Sequence, residues 1–218
     1  MSDTIVVINP NSTESVTRGI HRACDPLRMP GGPRIECVTL AEGPPGIQTQ
    51  RDVDGVVAPM LRLIAELDTR TAAFVIACFS DPGLHSARET TRKPVLGIME
   101  SGILTALTLG ERFGVIAILP ASIPRHLRMI NAMGVASRLA NERAVGLPVV
   151  ELADESRTAG RMIEVGRQLA ADGANSIVMG CAGMAQYRDR VEQAAGVPVV
   201  EPTQAAVAMA IGRVRLGW

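Results

Sequence analysis

Ala72-Ala73-Phe74-Val75-Ile76-Ala77-Cys78 and Ser176-Ile177-Val178-Met179-Gly180-Cys181 are two apolar runs, each ending in a cysteine. Each reads as a buried strand. Each cysteine is followed at once by small or turn-forming residues, Ser80-Asp81-Pro82-Gly83 after the first and Ala182-Gly183 after the second. Open α/β sheets place ligands and reacting groups at the carboxyl ends of parallel strands, where the next helix begins. Two thiols in that position, one in each half of the chain, suggest a paired acid and base.

The halves correspond elsewhere. The cysteines are 103 residues apart, the Pro-Val segments at Pro94 and Pro198 are 104 apart, and the strand ends at Ile8 and Ile118 are 110 apart. This spacing suggests duplication of a βαβαβ unit. Any α/β chain spaces its strands in a similar way, but that does not put a cysteine at the same strand end twice.

Around these runs, strand and helix signals alternate, as in a parallel sheet. Strands are expected at Thr4–Ile8, Arg34–Leu40, Val95–Ile98, Phe113–Leu119, Val149–Leu152 and Val197–Val200. Asn11 and Glu14 stand at capping-box spacing, so a helix should open near Ser12. Val53, Val57, Met60, Ile64 and Leu67 recur at helical spacing and predict one long amphipathic helix. Further helices are expected at Leu84–Thr91, Ser101–Leu109, from Pro124, at Glu155–Ala171, Met184–Ala194 and from Thr203 to about Val214. Gly43-Pro44-Pro45-Gly46 marks an irregular loop. The expected architecture is α/β: two pseudo-symmetric lobes, each a mostly parallel sheet flanked by helices, with the active site in the cleft between them. Residues 1–98 plus 205–218 would form one lobe and 99–204 the other.

Composition narrows the function. The 218 residues carry a formal net charge of zero and no basic cluster, which argues against nucleic acid as partner. No apolar run reaches membrane-spanning length. The N-terminus leads straight into a strand with no signal-peptide pattern, so a cytoplasmic location with reduced thiols is expected. The cysteines at 24, 37, 78 and 181 include no Cys-x-x-Cys, and histidine occurs only at 21, 85 and 126. No metal site is expected. Cys24 and Cys37 read as core residues.

A base that removes a proton from carbon approaches one face, and an acid that returns it to the other face inverts the centre. Thiols suit both roles once their pKa falls modestly from about 8.5. Helix N-termini after each strand can lower it, and backbone N–H groups in 79–83 and 182–184 can stabilise an enolate oxygen. Asn9 and Ser122, at strand ends, should edge the same cleft and hydrogen-bond a neutral ligand. Asp81 is a ligand acceptor or a helix cap. Glu100 and Glu201 follow the two Pro-Val strands at points that look equivalent. His85 reads as a surface or capping residue.

Ile8-Asn9-Pro10-Asn11-Ser12-Thr13, Ala77-Cys78-Phe79-Ser80-Asp81-Pro82-Gly83-Leu84 and Gly180-Cys181-Ala182-Gly183-Met184 resemble, in order, the hydantoin and allantoin racemase branch of the aspartate/glutamate racemase superfamily. The resemblance spans nearly the whole chain. It implies cofactor-free racemisation of a small-molecule substrate by Cys78 and Cys181, with Asn9, Phe79, Ser80, Asp81, Ser122, Ala182 and Gly183 around it, and a homo-oligomer. Amino-acid racemases of that superfamily follow their cysteines with Asn-Thr and Thr-His. Phe79-Ser80 and Ala182-Gly183 stand here instead, which points away from aspartate or glutamate and towards a cyclic ureide. Related arylmalonate decarboxylases keep only the second cysteine, and maleate isomerase-like enzymes use one cysteine as a nucleophile. A decarboxylase, a cis-trans isomerase and a plain small-ligand binder remain the alternatives.

Overall fold

The computed structural model describes residues 3–147, 151–152 and 154–218. Among them, eight strands form two four-stranded parallel sheets. The first contains β1 (Thr4–Asn9), β2 (Arg34–Thr39), β3 (Ala73–Ile76) and β4 (Val95–Gly97), in the order β2-β1-β3-β4. The second contains β5 (Phe113–Ala117), β6 (Leu139–Ala144), β7 (Ser176–Met179) and β8 (Val199–Val200), in the order β6-β5-β7-β8. The same order in both sheets is the duplication expressed in space. In each, the chain steps one way from its first strand and then jumps back over it. A crevice therefore opens between the carboxyl ends of β1 and β3, and another between those of β5 and β7.

The central strands are apolar because helices cover both faces. Side chains alternate across β1 and β3. Ile5, Val7, Ala73 and Val75 face Ile20 of α1 (Glu14–Ala23) and Ala206, Val207 and Ala210 of α9 (Pro202–Leu216). Val6, Ile8, Phe74 and Ile76 face Met60 and Ile64 of α3 (Val57–Leu67) and Leu84 of α4 (Leu84–Thr90). The second sheet repeats the arrangement. Phe113, Val115 and Val178 face Met99, Ile103 and Ala106 of α5 (Ile98–Leu109) and Ile130 of α6 (Ile123–Ala132). Ile116, Ile177 and Met179 face Met162, Val165 and Leu169 of α7 (Glu155–Ala171) and Val191 of α8 (Arg188–Ala195). Full burial of each large aliphatic side chain contributes roughly 1.5–3 kcal/mol, so this layering is the main stabilising term. The helix that follows the first sheet covers the second, and the helix that follows the second covers the first.

Several expectations need correction. The long helix of residues 53–67 is two helices, α2 (Gln50–Gly55) and α3, separated at Val56. Pro59 explains the break: without an N–H, and with its ring against the carbonyl four residues back, it fits only a first turn. Asn11 and Glu14 form no capping box. α1 begins at Glu14, and the Asn11 Oδ1 accepts from the Thr13 N–H at 2.9 Å in the turn before it. Of the strand expected at Val149–Leu152, Val149 and Val150 lie outside the described residues, and Glu151 and Leu152 are not in a strand. The edge strand beside β5 is β6, Leu139-Ala140-Asn141-Glu142-Arg143-Ala144, whose charges conceal it. The segment after Cys181 is a 3-10 turn over Ala182–Tyr187, and α8 starts only at Arg188. α5 starts at Ile98, three residues early, because its N-terminus is capped by a distant side chain.

Candidate active site

That cap is Asp81, in the loop after Cys78. Its Oδ1 accepts from the Met99 N–H at 2.9 Å and its Oδ2 from the Glu100 N–H at 2.8 Å. Its backbone takes a positive φ of 40° to reach them. The space comes from Gly97, where an ideal Cβ would lie 2.2 Å from the Asp81 carboxylate. In the second half the position matching Gly97 is Glu201, whose own carboxylate caps α9 through the Thr203 and Gln204 N–H groups at 3.2 and 2.6 Å. Both carboxylates are buried, and burial pushes each up to about 7 against the N–H groups that hold it down. Glu100 and Glu201 are thus not equivalent: Glu100 sits within α5 and pairs with Arg88 at 2.5 Å. His85 is exposed on α4.

Held by these caps, the two crevices open onto one cleft, which Cys78 and Cys181 both line. The surrounding residues come from the four strand ends: Asn11 after β1, Ala77 to Ser80 after β3, Ile118 and Ser122 after β5, and Gly180 to Gly183 after β7. Val16, Ile47, Arg125 and His126 complete the wall. Phe79, Ser80, Ser122, Ala182 and Gly183 all line this cleft. Asn9 and Asp81 do not. Asn9 is wholly buried behind the wall, its Nδ2 donating to Asn11 Oδ1, the Thr13 carbonyl and Thr17 Oγ1. Asn11 takes its place on the cleft.

The expected lowering of the thiol pKa values is reversed. Burial pushes Cys78 up to about 12, with the Ser80 N–H and Arg125 acting against it and the charges of Cys181 and Asp81 adding to it. Burial likewise pushes Cys181 up to about 11; the Gly183 N–H, 3.4 Å from its Sγ, opposes this and Glu201 adds to it. The N–H groups are present as expected, but desolvation outweighs them. The amides of Phe79 and Ala182, directly after the two cysteines, donate to no acceptor among the described residues. The Ser122 Oγ is buried and has no hydrogen-bond partner among the described residues.

Sequence reading missed the α6 contribution. Arg125 donates from Nε to Ser80 Oγ at 3.0 Å and from Nη1 to the Gln48 carbonyl at 3.3 Å. His126 shares its Nδ1 with Glu142 Oε1 of β6 at 2.5 Å and meets the Phe79 ring edge to face, centroids 5.2 Å apart. The available signal is their place three and four residues past Ser122, at the start of α6. Among the described residues no group of three or more His, Cys, Asp or Glu side chains is placed to hold a metal ion, and no helix is long and apolar enough to cross a membrane.

Comparison with known proteins agrees with this geometry. The family model for Asp/Glu/Hydantoin racemase matches residues 5–210. A protein named hydantoin racemase from Rhizobium meliloti is 37% identical over 98% of this chain and 90% of its own length. The solved allantoin racemase from Klebsiella pneumoniae superposes with a TM-score of 0.90 at 32% identity, covering 98% of this chain and 88% of that one. The allantoin racemase from Pseudomonas fluorescens superposes with a TM-score of 0.90 at 28% identity, covering 98% and 92%. The chain belongs to the Asp/Glu/hydantoin racemase family and is an isomerase of the racemase class.

Proposed function

We propose that this protein racemises a five-membered cyclic ureide, a 5-substituted hydantoin or allantoin, by direct proton transfer between two cysteines and without a cofactor. The observation that carries the reading is the convergence of two thiols, from equivalent strand ends of a duplicated fold, on one small cleft. The substrates named for the relatives give the ligand class. The lobes are taken as residues 1–98 plus 205–218 and 99–204, because α9 covers the first sheet and α5 the second.

One thiolate removes the proton from the ring carbon, whose acidity comes from the adjacent carbonyl. The C–H electron pair moves onto that carbonyl oxygen, to which the unengaged amides of Phe79 and Ala182 can donate. The opposite thiol then gives its proton to the other face as the electron pair returns to carbon. One negative charge is present throughout, first on one sulfur, then on the enolate, then on the other sulfur. The unpartnered Ser122 hydroxyl and the Asn11 amide supply polar contacts suited to ring N–H and C=O groups, and Phe79, Ile47 and Val16 supply apolar wall for the 5-substituent.

The test is incubation of the pure protein with enantiopure hydantoins or allantoin in heavy water, with no added cofactor. Optical rotation should decay to zero while the ring C–H is replaced by deuterium. Decay without deuterium incorporation would reject proton transfer through exchangeable thiols. Turnover of a malonate-type acid with loss of carbon dioxide, and none of the ureides, would favour the decarboxylase alternative.

A further inference from the structure

A reaction that always carries one negative charge in a desolvated cleft needs a positive group to oppose it, and the cysteine loops provide none of their own. Among the described residues, Arg125 is the only Lys or Arg on the cleft wall. It is 7% exposed, and no carboxylate lies within ion-pair distance of it among the described residues. Leaving a guanidinium buried without a counter-charge is costly unless function retains it.

We propose that Arg125 is a positioning residue for the racemisation, the counter-cation that supports the Cys78 thiolate and the enolate charge passing beside it. This rests on the two-cysteine reading of the site. Burial disfavours its charge most; Cys78, Asp52 and Glu142 favour that charge and Arg128 opposes it. Asp52 is engaged in the cap of α2, accepting from the Gln48 and Thr49 N–H groups at 3.0 and 2.8 Å. Glu142 is engaged with His126. Arg128 points to Gln50 Oε1 at 2.8 Å. Of these neighbours, only Cys78 both lines the cleft and lacks another ionic partner. Around Cys78 itself, Cys181 and Asp81 disfavour the thiolate and Arg125 favours it. Around Cys181 the carboxylate of Glu201 disfavours the thiolate and no arginine assists.

The local structure fixes this placement. Pro124 sits in the first turn of α6, and Arg125 follows it. From there the guanidinium crosses the cleft to Ser80, two residues after Cys78, and to Gln48, the neighbour of the wall residue Ile47. Its Nε and Nη1 are held by neutral oxygens, which orient the cation without neutralising it. The same two contacts tie α6 to loops of the first sheet, so Arg125 both closes the cleft and charges it.

The test reads thiolate content at each cysteine without substrate. Iodoacetamide alkylation of Cys78 and Cys181 is measured separately by peptide mass spectrometry, across pH, in wild type, Arg125→Gln and Arg125→Lys. Arg125→Gln should slow Cys78 alkylation at about pH 8 by about tenfold or more, one pH unit of acidity, and Cys181 by less than about threefold. Arg125→Lys should stay within about threefold of wild type at both. In turnover, Arg125→Gln should lower kcat/KM and move its acidic limb to higher pH, while Arg125→Lys keeps the limb in place. Unchanged or faster Cys78 alkylation in Arg125→Gln, equal slowing of both cysteines, or a Lys variant no better than Gln would overturn the proposal. If Arg125→Gln does not fold, Arg125→Lys decides alone: it loses the Ser80 and Gln48 geometry but keeps the charge, so a tenfold loss at Cys78 would be fatal. Racemisation surviving in Cys78→Ala would remove the two-cysteine reading while the alkylation result still reports the charge coupling.

Discussion

Replacing Gly97 by alanine puts a methyl group where the Asp81 carboxylate now lies. The new Cβ would sit 2.2 Å from Asp81 Cγ and Oδ2 and 2.5 Å from Oδ1. Both sides of the clash are rigid: Gly97 ends β4, and Asp81 is fixed by two N–H groups at the start of α5. The carboxylate must leave, and α5 loses its cap. A hydrogen bond to a charged group contributes roughly 1.5–3 kcal/mol, and forcing an extra methyl into a packed site costs about 1–3 kcal/mol. Burial already raises the Asp81 carboxyl to about 7, so part of the charge assistance is absent near neutral pH. A net cost of about 3 kcal/mol follows, or a Tm lowered by roughly 6–12 °C in a chain of this size. Thermal unfolding by circular dichroism measures it. Gly212→Ala in α9, where a Cβ meets nothing within 4 Å, is the control and should stabilise by about 0.5–1 kcal/mol. Because Asp81 also anchors the Cys78 loop, Gly97→Ala should reduce racemisation more than Gly212→Ala does. In Asp81→Ala the space is vacated, so adding Gly97→Ala should cost little more. A Tm change under about 2 °C, or full additivity of the two substitutions, would refute the reasoning.

The buried carboxyls of Asp81 and Glu201 have folded-state values of about 7, above their ordinary 3.8 and 4.5. The folded state therefore binds more protons than the unfolded chain between about pH 4 and 7, so stability should fall as pH rises through that window and level off above it. The surface carboxylates of Glu36 and Asp172, held down to about 2 by arginine partners, act in the opposite sense but only as pH falls from about 4 towards 2. Chemical denaturation across pH should show the decline, and Asp81→Asn should flatten it; a rise in stability from pH 5 to 7 would contradict this origin. Thiol alkylation should abolish turnover and EDTA should leave it unchanged, and activity lost to EDTA and restored by a divalent cation would count against a thiol-only mechanism.

What was legible in the sequence was whatever rests on local pattern. The buried runs of β1, β3, β5 and β7 and the helix at Glu155–Ala171 could be read directly, because apolar periodicity and capping residues lie within a few positions of each other. The two cysteines stood out because duplication repeats them. What was hidden depends on distant partners. β6 reads as polar because Glu142 is buried only through His126, from another element. The start of α5 depends on Asp81, eighteen positions away from Met99. Arg125 has no pattern that distinguishes a buried arginine from a surface one. The strand-end position of Asn9 predicts a place on the cleft, but the turn into α1 draws its amide inwards and leaves Asn11 outermost.

The central claim is that Cys78 and Cys181 serve opposite faces of one carbon. Its most direct measurement is ring C–H exchange in heavy water, for each enantiomer separately, in Cys78→Ala and Cys181→Ala. Neither variant should invert the centre. Cys181→Ala should exchange the proton of one enantiomer with retention, through Cys78, and Cys78→Ala should do so for the other enantiomer only. Near wild-type racemisation in either variant, or exchange of the same enantiomer in both, would contradict the account.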